Sequence, residues 1–371
     1  MNDKFVITPI LKLCEVCNYH CDFCRYADNT DDNMMNLETC FHIVSSVLAW
    51  NREHGFDYIE LNFHGGEPLL WGKKRFRELL EYEEKLQKQD PCLQIVNSIQ
   101  TNGVLIDLEW MDIFRRGRFR IGLSIDGPEN MNSHLDLNGK DIVQTGVVSL
   151  LNQYNVPFGV LSVISEKHFG KEQELYDFYK KNEIHNVGLC YCFGAGIEID
   201  PERLSEFLIG FYRLAFYGSY EINVRELDAY IRKICGGNAP YCMFRNRKSC
   251  GHYLAFTGDE HVYFCDPEEK ANSYIGNLKK QSLEEIISGK RYEQQLEKIR
   301  ALILNTCCRC ELLDICGRGC SRTDWDDKNA FCDMYRILVP QVREMIMSCM
   351  KKYPKTFLNL QKKNDSKGEH V

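Results

Sequence analysis

Three cysteines open the chemistry of this chain: Cys17, Cys21 and Cys24, spaced CxxxCxxC. Thiolates this close hold three irons of a four-iron cubane and leave the fourth open. An open iron can bind a substrate, whereas a cluster with four cysteines only moves electrons. The same spacing also suits a zinc loop with a distant fourth ligand. A second block is denser. Cys307, Cys310, Cys316 and Cys320 read CxxCxxxxxCxxxC, with Cys235, Cys242, Cys250 and Cys265 upstream and Cys332 downstream. Its alternative reading is a pair of structural zinc sites, because a four-thiolate tetrahedron serves both metals.

These residues need elements to position them. Strand-like segments at 5–12, 58–63, 93–100, 119–125, 158–164 and 186–193 alternate with helical patterns near 37–53, 72–89, 107–116, 142–154 and 171–182. Asn36 and Asp107 stand where helix N-caps are expected. Such alternation predicts a parallel sheet, since parallel strands need crossover helices. Six units fall short of the eight of a closed barrel, so an α/β fold with a partial (β/α)6 barrel is expected over 1–200. The first cysteine loop then follows the first strand, at the face where such barrels keep their chemistry. A helical linker is expected over 201–234, an irregular cysteine-rich domain over 235–345, and a helix end with a polar tail over 346–371.

Composition narrows the partners. Lys and Arg number 46 against 53 Asp and Glu, a net charge of −7, which offers no basic field for nucleic acid. Hydrophobic residues make up 44%, enough for a sizeable core. The start lacks a basic segment followed by an apolar run and a small-residue cleavage site, so export and a disulfide framework are not expected. No run of ~18 apolar residues predicts a membrane span. A reducing, cytoplasmic setting is the expectation.

The CxxxCxxC loop, with Phe23 before its last cysteine, resembles the signature of radical S-adenosylmethionine enzymes. Gly65-Gly66-Glu67-Pro68, at the end of the second strand, looks like that family's GGEP segment, where backbone and Glu carbonyl groups hold the methionine amino group of the cofactor. Gln100-Thr101-Asn102-Gly103 and Leu123-Ser124-Ile125-Asp126-Gly127-Pro128 resemble rim segments of the sulfatase-maturase branch, where the residue matching Ser124 helps bind the cofactor. One departure stands out. The branch carries an Arg shortly after the fourth strand, and residues 130–140 contain none. His134 and Lys140 are the cations there, and a lysine cannot make an arginine's forked contact.

The second cysteine block is similar to the SPASM extension of the same family, and the resemblance implies two auxiliary four-iron clusters. One would take Cys242, Cys250, Cys265 and Cys320, with Cys235 as an alternative to Cys242. The other would take Cys307, Cys310, Cys316 and Cys332. The implied cofactors are three [4Fe-4S] clusters and S-adenosylmethionine, and the implied donor is an external carrier such as flavodoxin or ferredoxin. The implied reaction is reductive cleavage of the cofactor to a 5′-deoxyadenosyl radical, which takes a hydrogen atom from a peptide or protein. Asp266, directly after Cys265, matches the general base of sulfatase maturases; its plain alternative is a turn opened by Asp266-Pro267. Formylglycine formation is the expected outcome. Thioether or carbon–carbon crosslinking of a peptide is a second reading, and a non-catalytic iron–sulfur electron carrier a third from another class.

Overall fold

The computed structural model describes residues 5–352 except 22, 25, 27–32, 137, 138, 140–142, 192–198, 246, 247, 266–269, 326 and 327. Six parallel strands form its frame: β1 (Thr8–Cys14), β2 (Tyr58–Gly65), β3 (Gln94–Thr101), β4 (Arg120–Ser124), β5 (Phe158–Ile164) and β6 (Asn186–Tyr191). Helices α1 (Leu37–Glu53), α2 (Lys73–Gln89), α3 (Leu108–Arg116), α4 (Thr145–Gln153) and α5 (Glu172–Lys181) connect them. The two expected caps form. Asn36 accepts the Thr39 N–H at 2.8 Å, and Asp107 accepts the Trp110 N–H at 3.2 Å.

Strand alternation sorts the two faces. On β1, Leu11 and Leu13 are fully buried beneath the helices; on β2, Ile59, Leu61 and Phe63 are. The intervening Lys12, Glu60, Asn62 and His64 therefore face the barrel lumen, joined there by Ser98, Gln100, Arg120 and Ser124. The polar face of β2–β4 bounds a cavity of about 240 Å³. Beneath α2 and α3, Phe76 meets Trp71 and Trp110 edge-on at 5.1 and 5.3 Å. These rings are fully buried and fix the helices that carry the rim loops.

The sheet does not stop at six strands. After α6 (Pro201–Tyr217), a two-residue strand β7 (Asn223–Val224) extends the β6 edge, followed by α7 (Arg225–Ile234). At the opposite edge, β8 (Tyr253–Phe256) pairs parallel with β1, and β9 (His261–Phe264) and β10 (Tyr274–Asn277) continue antiparallel. One ten-stranded sheet thus carries both cysteine-rich regions. Two helices follow within the cysteine-rich region, Leu283–Ile287 and Lys290–Leu302. Gly289 parts them; a Cβ there would lie 2.9 Å from the Glu285 carbonyl oxygen. The C-terminal helix Cys332–Lys352 packs on α6, where Ser205 Oγ donates to the Met334 carbonyl at 3.3 Å. Among the described residues no helix is long and apolar enough to cross a membrane.

One buried carboxyl sets a pH dependence of the frame. Glu83 on α2 accepts Asn97 Nδ2 at 2.9 Å, and burial pushes its pKa from 4.5 to about 7. Between those values the folded chain holds a proton that the unfolded chain has lost, so stability falls as pH rises through this window. Glu83→Gln is expected to match the parent at pH 4.5 and to gain on the order of 3 kcal/mol by pH 8. Thermal unfolding followed by circular dichroism at both pH values reads the difference as a Tm gain confined to the higher pH.

Candidate active site

The loop after β1 is built by backbone contact. Gly66 N–H donates to the Cys14 carbonyl and Glu67 N–H to the Val16 carbonyl, both at 3.0 Å. This approach is what the two glycines allow. A Cβ on Gly65 would lie 2.2 Å from the Cys14 oxygen, and one on Gly66 2.1 Å from the Val16 oxygen. Gly65 also holds φ 138°, which favours glycine. The glycines thus serve contact with the cysteine loop of the chain itself. Pro68 opens the single turn Pro68–Trp71, whose Trp71 Nε1–H donates to the Met35 carbonyl at 2.6 Å.

Glu67 is 1% exposed and ties two rim loops together. Its Oε1 accepts from Leu69 N–H at 2.9 Å and Thr101 Oγ1 at 2.8 Å, and its Oε2 from Asn102 N–H at 2.9 Å. Burial pushes its carboxyl from 4.5 to about 7, although these donors pull the other way. Asn102 then reaches the cysteine loop, with Nδ2 2.9 Å from Asn18 Oδ1 and 3.9 Å from Cys17 Sγ. Ser124 Oγ accepts from Gln100 Nε2 at 2.8 Å. Gly122 leaves the space for Gln100, whose Oε1 would lie 2.2 Å from a Cβ there.

Cys17, Cys21 and Cys24 are brought together. Cys24 N–H donates to the Cys21 carbonyl at 3.0 Å, and Cys17 lies within the electrostatic reach of both other thiols. Burial pushes the Cys17 thiol up to about 12. Three thiols in one loop are a donor set that fits an iron centre, which would hold them as thiolates. The segment lacking the expected Arg docks on this loop: His20 N–H donates to the Leu135 carbonyl at 2.8 Å, and Tyr19 bridges to Asp136. His134 is committed within that contact. Its Nδ1 is 3.2 Å from Cys21 Sγ and its Nε2 3.3 Å from Asp126 Oδ1, and Phe23 stands edge-on to its ring at 6.0 Å. Lys140 lies outside the described residues.

The later cysteines gather in two sets. Cys242 is exposed but has Cys320 and Cys250 as electrostatic neighbours, and desolvation of its thiol pushes it up to about 11. Tyr253 senses both Cys242 and Cys265, and Cys265 N–H donates to the Tyr253 carbonyl at 2.9 Å. Cys316, likewise raised to about 11 by burial, neighbours Cys310, Cys307 and Cys332. Tyr335 senses Cys316, Cys320 and Cys332 and so stands between the sets. Asp266 lies outside the described residues. Two lumen groups carried no motif in the sequence: Lys12, 5% exposed, sets its Nζ 3.2 Å from His64 Nδ1. A lysine alternating with buried leucines was the available signal.

Comparison with known proteins agrees with this geometry. The family model of the Radical SAM superfamily matches residues 11–152, and that of the SPASM iron–sulfur cluster-binding domain matches 242–311. A cysteine-type anaerobic sulfatase-maturating enzyme of Clostridium perfringens is 25% identical over 350 residues, covering 86% of this chain and 91% of that protein. A serine-type anaerobic sulfatase-maturating enzyme of Bacteroides thetaiotaomicron is 24% identical, covering 83% and 80%. The structure of native anSMEcpe with bound AdoMet and the Cp18Cys peptide superposes with a TM-score of 0.81 at 22% identity, over 93% of this chain and 99% of that one. SuiB of Streptococcus suis bound to S-adenosylmethionine shares the fold less fully, with a TM-score of 0.60 at 16% identity, over 85% of this chain and 73% of that one. With its barrel loops, its three thiol sets and these matches in one chain, the protein carries a Radical SAM domain and a SPASM iron–sulfur domain and is homologous to the anaerobic sulfatase-maturating enzymes.

Proposed function

We propose that the chain oxidises a cysteine or serine side chain of a peptide or protein to formylglycine, as a sulfatase maturase does. The observation that carries this is the interlock of Gly65–Pro68 with the loop of Cys17, Cys21 and Cys24, in a chain that runs alongside sulfatase-maturating enzymes for most of its length. A pure electron carrier has no need of a cofactor pocket at that loop. When bound, the clusters and S-adenosylmethionine supply an electron and a radical able to take a hydrogen atom.

The chain's own residues do the rest. Cys17, Cys21 and Cys24 hold the cofactor-binding cluster. Gly65, Gly66, Glu67, Pro68, Asn102, Ser124 and Phe23 shape and pin the rim where the adenosylmethionine sits. Cys242, Cys250, Cys265 and Cys320 hold one auxiliary cluster, and the closeness of Cys242 to Cys250 and Cys320 supports it as the ligand. Cys307, Cys310, Cys316 and Cys332 hold the other. The partial barrel over 1–200 and the auxiliary-cluster domain over 235–345 divide these tasks, with 201–234 between them and the tail 346–371 outside them. Flavodoxin or ferredoxin is the electron source, the setting is the cytoplasm, and neither nucleic acid nor membrane is a partner.

Asp266 takes the proton of the substrate thiol or hydroxyl. The test is anaerobic incubation of cysteine- and serine-containing sulfatase peptides with reductant and S-adenosylmethionine, followed by mass spectrometry. Product mass and 5′-deoxyadenosine are expected together. Asp266→Asn is expected to keep forming 5′-deoxyadenosine while formylglycine falls by about 10²-fold or more; a normal product yield removes Asp266 from the role.

A further inference from the structure

Arg318 occupies Cys316-Gly317-Arg318-Gly319-Cys320, where three successive residues hold left-handed backbone, φ 61°, 65° and 65°. Glycine takes this conformation freely and arginine does not, so surrounding packing imposes the turn. The glycines cannot be replaced to relax it. A Cβ on Gly317 would lie 2.7 Å from the Phe244 backbone carbon, and one on Gly319 2.9 Å from the Tyr335 hydroxyl. The result is a guanidinium directed inward, its side chain 0% exposed. Nη1–H donates to Cys307 Sγ at 3.4 Å, and the backbone N–H to Cys316 Sγ at 3.4 Å. Nη2 stands 3.9 Å from Asp324 Oδ2.

An arginine stays protonated at any working pH, and a buried charge is costly unless compensated. We propose that Arg318 is a charge partner of the auxiliary cluster held by Cys307, Cys310, Cys316 and Cys332, and that it holds the reduction potential of that cluster up. This rests on the ligand set given under the proposed function. Four thiolates make an oxidised four-iron cluster a dianion, and reduction makes it a trianion. A fixed cation at one thiolate, with a second N–H on another, favours the more negative state, because net charge and hydrogen bonds to sulfur both set the potential. Arg318 therefore biases this centre toward accepting an electron.

The test is an anaerobic potentiometric titration of the holoenzyme followed by electron paramagnetic resonance, with iron counted per chain. The double variant Cys310→Ala/Cys316→Ala is expected to lose about four irons; unchanged iron overturns the ligand set and this proposal with it. Arg318→Gln is expected to keep the parent's iron while the potential of one auxiliary cluster falls. At fixed potential its reduced-to-oxidised ratio drops at least tenfold, about 59 mV for a one-electron couple. Arg318→Lys keeps the charge and is expected to stay nearer the parent. A parent-like potential in Arg318→Gln overturns the proposal alone. Loss of iron in both single variants also overturns it, since the residue then serves assembly and not the potential.

Discussion

Gly66→Ala is expected to stop cleavage of S-adenosylmethionine. The added Cβ would lie 2.1 Å from the Val16 carbonyl oxygen and 2.5 Å from its carbon. Both are backbone atoms of the loop that leads into Cys17, so no side chain can swing aside. Relief requires the Gly65–Pro68 segment and the cysteine loop to part. That loses the Gly66–Cys14 and Glu67–Val16 hydrogen bonds, each 3.0 Å in the parent. Two lost bonds and the overpacking together cost about 3–5 kcal/mol. The larger effect is on chemistry, because a misplacement of about 1 Å costs ~10²-fold in rate where reacting groups must be held in line. Gly146→Ala is the control: nothing lies within 4 Å of a Cβ there, and the residue sits in the first turn of α4. It is expected to leave 5′-deoxyadenosine formation unchanged and stability equal to the parent's or up to about 1 kcal/mol higher. Parent-like 5′-deoxyadenosine formation by Gly66→Ala would show that the interlock does not position the cofactor.

The barrel was legible because its signals are local. Alternation and helical periodicity set β5 at 158–164 and α1 at 37–53 to the residue, and Asn36 and Asp107 announced their helices. The first cysteine loop was legible from its spacing for the same reason, whereas the grouping of the later cysteines came with the family resemblance. What escaped is non-local. The pairing of β8 with β1 joins residues more than 240 apart through a four-residue strand, and nothing in the run Tyr253–Phe256 names its partner. The glycines at 65 and 66 are required first by the backbone of Cys14–Val16, a contact that no local pattern announces. His134, weighed as a stand-in for the absent arginine, is instead 5% exposed and turned to Cys21 and Asp126. Arg318 carried no motif, and only three dimensions put its charge among the thiols.

Glu67→Gln is expected to loosen the same rim from the other side, although it replaces a costly buried acid with a neutral isostere. The balance turns on donors and acceptors. All three hydrogen-bond partners of the carboxyl give it a hydrogen: Leu69 N–H and the Thr101 hydroxyl at Oε1, and Asn102 N–H at Oε2. The Thr101 oxygen is itself engaged, accepting Gly103 N–H at 3.0 Å. With a pKa near 7 the parent is partly protonated at neutral pH. A protonated carboxyl still accepts through both oxygens; an amide nitrogen accepts nothing. If the glutamine oxygen faces Leu69 and Thr101, its NH2 meets Asn102 N–H. If the amide flips, its NH2 meets Leu69 N–H. Either orientation strands a backbone donor at a site 1% exposed. One stranded donor and one or two lost bonds amount to about 2–4 kcal/mol; relief of the buried acid returns about 3 kcal/mol at pH 7 and little at pH 4.5, so the net loss of stability shows at the lower pH. Asn102 is the residue released, and through Asn18 it braces the loop of Cys17. Adenosylmethionine cleavage is therefore expected to fall by at least tenfold, together with a lower Tm at pH 4.5 and near-parent iron. A Glu67→Gln protein with parent Tm at pH 4.5 and parent 5′-deoxyadenosine yield would mean that the carboxyl is not the tie between the second and third rim loops.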